Sequence, residues 1–455
     1  MLVKIALFST CFFWDSVATL SKPSLFLYEH NFSSLNFPSD TVDDNLLLSG
    51  IMAGIWKIFG CNLIVSHLFF TIIGLIFIYQ LFRLCTLFIP QANAFPFIFL
   101  LVISDPAVVT QSLLIMTDLF MLLFAVMSIR YILENRKIAL TFSLLALSLL
   151  RARGLCMSAG IAFGYFVYLI YQNQWKISFK QVKQAILPFL PAILFFTGFY
   201  LYRQMMFGGY YYIREDNAWS SHYHWVNFKQ LIINVAATGR CFLDYGRIFI
   251  WIVLIFLGLK FGIKRLFRKE IQIPLIFFAA TFFCLLCITL PFTNPVGFRY
   301  FMLQYILVAL VAGKLLFALL KEKQAKIISI LLILGLWSGH FWIYPEKIPM
   351  AWDTTLAHLP YYDLRQDMLR YLDDNQIDYK ETASFFPAAA GGKFIDLSTD
   401  ERQFAALDFQ ANKYVIYSNI ANWSDEDIDT VQTWIKEKEF VWRGVFIRIY
   451  RNPAK

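Results

Sequence analysis

Apolar residues run through this chain in long blocks separated by short polar breaks, and that rhythm predicts most of its architecture. Blocks such as Leu63 to Leu81 and Ile327 to Ile343 have the length that an α-helix needs to cross a hydrocarbon layer. Read this way, candidate spans lie at about 2–14, 62–82, 93–110, 117–133, 138–150, 154–171, 185–203, 247–262, 271–291, 299–319 and 326–344, roughly eleven helices. Beyond 344 the pattern changes. Tyr361 to Asp373 is spaced like an amphipathic helix, and Lys413 to Ser418 reads as a strand. Ser424 precedes Asp425, Glu426 and Asp427 as an N-cap would, and Val445 to Tyr450 alternates like a closing strand. The expected fold is an α-helical polytopic membrane protein over 1–344 with a soluble α/β domain over 345–455.

Composition supports the division. Of 455 residues 58% are hydrophobic and 16% charged, with 48 Phe, whereas soluble domains carry about 25% charged residues. Residues 345–455 hold 13 Lys+Arg against 18 Asp+Glu, and the remainder holds 27 against 13. A basic membrane part of this kind reflects cytoplasmic loops rather than nucleic acid. Seven scattered cysteines give no disulfide framework, and Cys284 and Cys287 lie inside an apolar run where helix packing explains them better than metal or redox chemistry. The stretch Leu2 to Trp14 has a signal peptide's length but no small-residue cleavage site, so it is read as a short first span with the N-terminus cytoplasmic.

Loop charges set the expected orientation. Lys260 to Lys269, Lys321 to Lys326, Glu134 to Lys137 and Lys176 to Lys183 fall on one side under this assignment, which the positive-inside rule makes cytoplasmic. The loops 15–61 and 204–246, the 292–298 turn and the acidic tail then share the outer, periplasmic side of a bacterial inner membrane.

Several ionisable residues converge on that outer side. Asp15 closes the first block and Asp43 and Asp44 stand late in the first loop. Asp105 precedes Pro106, Asp118 opens the fourth span, Arg151 and Arg153 separate the fifth and sixth, and Arg299 and Tyr300 open the tenth. Charges at membrane depth are costly and mark functional sites. Acids facing arginines at one level suit transfer from a lipid phosphate: guanidinium groups hold the phosphate and a carboxylate takes a proton. Each has a plainer alternative. Asp118 would serve as a helix cap, Asp105 as a turn residue, the arginines as interface anchors, and Asp43 and Asp44 as solvated loop acids. In the second loop, Tyr210 to Tyr212, Trp219, His222, Tyr223, His224 and Trp225 suggest an interfacial aromatic belt or a lid. His222 and His224, two apart, would not share a helical face, and no metal site is assigned.

Together these motifs resemble the GT-C class of integral-membrane glycosyltransferases, of the bacterial protein O-mannosyltransferase and aminoarabinose-transferase type. The matching pieces are Asp15 after the first block, Ala53 to Gly60, Asp105-Pro106, Thr117-Asp118-Leu119, Leu150 to Gly154 and Phe298 to Phe301, spread over residues 10–320. The resemblance implies an inverting transfer from a polyprenyl-phosphate-linked sugar donor to a protein, lipid or glycan acceptor, with Asp15 as general base and Asp118 as the second acid. It also implies that Arg151, Arg153 and Arg299 hold the donor phosphate. Asp44, Asp105, Tyr300, His222 and His224 are candidate substrate contacts from their place on the same outer side. No cofactor is assigned, and a divalent cation is left as an open alternative. The chain departs from the family where Ser16 stands in place of a second acid, and where Asp43-Asp44-Asn45 replaces a Pro-Pro stretch. A lipid-linked-sugar flippase and a non-catalytic envelope scaffold are the competing readings. The absence of a visible repeat disfavours the flippase, and a scaffold would act through its tail.

Overall fold

The computed structural model describes residues 2–38, 41, 45–207, 224–293, 296–385 and 388–455. Asp43, Asp44 and His222 lie outside the described residues.

The chain begins with a five-residue helix α1 (Leu2–Ala6), then crosses a short π-helical turn at Val17–Ser21 into α2 (Lys22–Glu29). Next come α3 (Leu46–Phe59), α4 (Leu63–Phe88), α5 (Phe95–Ile103), α6 (Pro106–Leu113), α7 (Thr117–Leu133), α8 (Lys137–Leu150) and α9 (Ala152–Gln172). The helical part continues through α10 (Phe179–Ile186), α11 (Leu190–Phe207), α12 (Phe228–Leu243), α13 (Ile248–Phe261), α14 (Lys269–Thr289), α15 (Met302–Leu319) and α16 (Glu322–Ser338). Five helices among the described residues are long and apolar enough to cross a membrane: α4, α9, α14, the Phe298–Leu319 stretch ending in α15, and Glu322–Phe341 containing α16. Three further pairs among the described residues qualify only together and are bent, α5–α6 by 67°, α10–α11 by 52° and α12–α13 by 84°. Apolar side chains cover the outside: α4 exposes Ile64, Leu68, Ile72 and Leu75, and α16 exposes Ile327, Ile330, Leu331 and Leu334. In water such surfaces would drive aggregation. The chain is an integral membrane protein.

Residues 2–14 do not form the first span expected of them. α1 ends at Ala6, and a five-residue helix rises only about 8 Å. The apolar residues that follow pack instead against the tail. The Phe12 N–H donates to Ile395 O at 2.9 Å, and the Phe13 ring stacks on His358 at 4.6 Å. The expectation of a cytoplasmic N-terminus rested on that span and loses its basis. Lys4 ties this segment to the bundle by donating to Leu113 O, with its Nζ 3.1 Å from His67 Nδ1, and burial lowers its amine to about 7.

Small residues bring the helices together. A Cβ on Gly160 of α9 would lie 2.7 Å from Thr281 Cα of α14, and one on Gly154 would lie 1.9 Å from Leu147 O of α8. Close backbone approach of this kind is how helices associate where lipid supplies no hydrophobic drive. Polar contacts join neighbouring helix ends: Arg268 donates to Ala318 O at 3.5 Å and Arg83 meets Glu134 at 3.5 Å.

The tail begins with two single 3-10 turns, Trp352–Thr354 and Leu356–His358, and continues with α17 (Pro360–Asp374), β1 (Thr382–Ala383), the short α18 (Gly392–Ile395) and β2 (Tyr414–Ser418). α19 (Asp425–Gln432), β3 (Ile435–Trp442) and β4 (Val445–Arg451) complete it. The sheet order is β1-β2-β4-β3, with β1 parallel to β2 and the other pairs antiparallel. Ser424 accepts from Asp427 N as the expected N-cap of α19. β3 was not anticipated: Lys436, Glu437, Lys438 and Glu439 carry no apolar alternation, yet charged side chains are what protects an exposed edge strand. The β3–β4 turn is Arg443-Gly444, both at positive φ, the two-residue geometry that matches strand twist.

Candidate functional site

Asp15 is presented by a locked turn. Trp14 stands at φ 53°, and Ser16 closes the loop by donating from Oγ to Phe13 O at 2.6 Å while accepting from Phe13 N at 3.0 Å. Ser16 therefore fixes the backbone turn that carries Asp15. Asp118 lies in the first turn of α7, where an acid favours the helix dipole. Asn45 bridges the two regions, donating to Thr19 O at 3.1 Å and to Thr117 Oγ1 at 3.0 Å.

Arg299 joins them. Its guanidinium contacts Asp15 through Nη2, lies 3.3 Å from Asp118 through Nε, and contacts Asp353 of the tail through Nη1. Arg153 pairs with the other oxygen of Asp118 at 3.0 Å and stacks on Tyr300 at 3.7 Å from the ring centre. Arg151 is near enough to act electrostatically on both Asp118 and Arg299. Three guanidinium groups thus face three carboxylates at the tail-side end of the bundle. A cavity of about 20 Å³ adjoins them, with Asp118, Arg153, Arg299 and Tyr300 at its polar end and Met121, Met157 and Met302 among its apolar walls. That is room for about one water, although unbranched methionines can repack around something larger.

The remaining expected residues lie elsewhere or do other work. Asp105 caps α6, accepting from Ala107 N at 2.9 Å, and forms a bidentate pair with Arg247 at 2.7 and 2.8 Å. Arg247 also stacks on Tyr305 at 3.8 Å. His224 pairs with Thr293, its carbonyl accepting from Thr293 N at 3.0 Å, next to the Trp225–Phe292 bridge; it does not reach the arginine cluster. No group of three or more His, Cys, Asp or Glu among the described residues is arranged to hold a metal ion. Asp353 was missed. It stands in an acidic tail with nothing nearby in sequence to single it out, and only the fold brings it to Arg299, Gln111 holding its carbonyl at 2.8 Å.

Where the tail meets Phe13, burial lowers the His358 imidazole to about 4, partly offset by its contacts with the Thr355 and Trp352 backbone. The ring also faces Tyr362 at 5.8 Å.

No family model matches the chain. No curated protein matches it either. Among solved structures, ArnT from Cupriavidus metallidurans bound to undecaprenyl phosphate is similar at 12% identity and a TM-score of 0.49, covering 79% of this chain and 69% of that one. The apo form of the same protein is similar at 9% identity and a TM-score of 0.49, covering 98% and 96%. A likeness this distant carries no argument about chemistry, which rests on the geometry of the site.

Proposed function

We propose that the chain is a GT-C-type glycosyltransferase that moves a sugar from a polyprenyl-phosphate donor to an acceptor at the membrane face bearing the tail. The observation that carries this is the meeting of Asp15 and Asp118 on Arg299, with Arg153 and Arg151 beside them, at one end of an apolar bundle. A lipid-linked phosphate needs this combination: apolar surface for the chain, guanidinium groups for the phosphate and a carboxylate beyond it.

In this reading Asp15 accepts the proton of the acceptor nucleophile as it attacks the anomeric carbon. The bond from that carbon to the phosphate oxygen breaks, and the electron pair leaves with the phosphate. Arg299, Arg153 and Arg151 stabilise the charge that develops there. Attack from the side opposite the phosphate inverts the anomeric centre. Asp118 orients Arg153 and Arg299. On this reading the tail faces the extracytoplasmic side, which the positive-inside rule supports through the basic residues of the opposite loops.

The test is Asp15→Asn in purified protein, assayed for sugar transfer from a polyprenyl-phosphate donor. Loss of a general base lowers kcat by about 10²–10⁴-fold, with donor binding retained. Full activity in a folded Asp15→Asn protein would remove Asp15 from the mechanism. Donor movement across the bilayer without covalent product would turn the reading into a flippase.

A further inference from the structure

Arg299 is already ringed by carboxylates. Its three nitrogens face Asp15, Asp118 and Asp353, and among the described residues the three guanidinium groups of the cluster are matched by three carboxylates. The adjoining cavity of about 20 Å³ leaves no room for a phosphate. An added phosphate needs both space and a surplus cation, so one carboxylate must withdraw. Asp118 is held by Arg153 at 3.0 Å and by its place in α7, and Asp15 by the Ser16 turn. Asp353 sits on a single 3-10 turn, Trp352–Thr354, suspended from Gln111 and, through the Ala351 N–H, from the Tyr245 hydroxyl at 3.0 Å. Of the three acids it alone comes from the tail rather than from the segments leading into the bundle.

Resting on the function proposed above, we propose that Asp353 is a positioning residue that discriminates between donor and spent donor by competing with the lipid phosphate for Arg299. A polyprenyl-phosphate-sugar is a phosphodiester with one negative charge. Breaking the bond to the sugar leaves the electron pair on the phosphate, giving a monoester that carries nearly two negative charges above its second pKa of about 6. The carboxylate of Asp353 repels the monoester more strongly than the diester. The tail thereby favours release of the spent lipid and its exchange for fresh donor.

The experiment measures binding of two probes to the full-length protein in detergent: a polyprenyl monophosphate and its monomethyl diester. In Asp353→Asn the monophosphate should bind about tenfold more tightly and the diester about threefold. Lowering the pH to 5, where the monophosphate keeps one charge, should bring the two ratios together. Asp353→Glu, which keeps the charge, should stay within about twofold of the parent protein for both probes. Equal changes for the two probes, no change, or weaker binding of both in folded Asp353→Asn would overturn the inference. Arg299→Gln separates the two levels of the argument. If it binds both probes as the parent does, the phosphate site itself is wrong. If it loses both while Asp353→Asn fails to discriminate, only the role of Asp353 falls.

Discussion

Two buried arginines anchor the tail-side end of the bundle, and they are used in opposite ways. Arg247 has one carboxylate partner, Asp105, with both nitrogens matched to both oxygens and each side chain only 3% exposed. The pair joins the breaks of two bent helix pairs, α5–α6 and α12–α13. Arg299 shares one guanidinium among three carboxylates from three distant parts of the chain, beside a cavity. A matched pair satisfies itself and adds nothing to chemistry. On the proposed function, a cluster in which one guanidinium serves three acids exchanges partners when the lipid phosphate arrives. Buried charge alone therefore does not identify a site; the mismatch between donors and acceptors does.

The largest test of this contrast is stability. Asp105→Ala strands Arg247 in the bundle and should cost about 3–5 kcal/mol, seen as a large fall in the thermal midpoint in detergent. Asp105→Leu combined with Arg247→Met should recover most of it, because no buried charge is left unpaired. Asp15→Asn leaves Arg299 with Asp118 and Asp353 and should cost about 1 kcal/mol or less, although it removes the proposed base. If both single substitutions destabilise equally, the two arginines are alike and the contrast fails.

The second test is pH. Neither guanidinium loses its charge in the working range, so the sensitivity lies in the seam that supports Asp15. His358 is held neutral, with its imidazole at about 4 against an ordinary 6.5. Above 6.5 both folded and unfolded states leave it neutral and the seam is fully stable. Between 6.5 and 4 only the unfolded chain takes the proton, so stability falls by roughly 2–3 kcal/mol over that window. Thermal midpoints between pH 7 and 4 should show the decline, and His358→Phe should flatten it. An unchanged profile in that variant would place the titration elsewhere.

How much of this was legible beforehand follows from what sequence patterns encode. Asp118, Arg153 and Arg299 stood out because each interrupts an apolar helix at its end, and the structure brings them together. Asp15 was found for a partly mistaken reason, since the apolar stretch before it packs on the tail instead of crossing the membrane. Hydropathy cannot distinguish burial in protein from burial in lipid. Asp353 was invisible because one acid in an acidic tail gives no signal until the chain folds. Asp105 stood out for the same reason as Asp118, and only the fold shows that its partner is Arg247, 142 positions away, rather than Arg299.

A smaller effect separates the two helix contacts of α9. Gly154 touches the α8 backbone right after Arg153, so Gly154→Ala must push the helix start outward and shift the arginines. Overpacking there should cost about 1–3 kcal/mol, and donor KM should rise several-fold. Gly160→Ala, deeper against α14, should lower stability by a similar amount with KM unchanged. A KM effect at both positions, or at neither, would detach Gly154 from the site.

The smallest expected effect isolates burial from distance. Lys347 and Asp429 approach to 2.7 Å on the tail surface, as close as Arg247 and Asp105 do inside the bundle. Their side chains are 48% and 62% exposed, so water and salt screen the pair, and holding two flexible chains together offsets what attraction remains. Lys347→Ala and Asp429→Ala should each leave the thermal midpoint and donor binding unchanged within error. A large loss from either would mean that contact distance, rather than desolvation, decides what an ion pair contributes here. The ranking of Arg247 above the surface pairs would then have no basis.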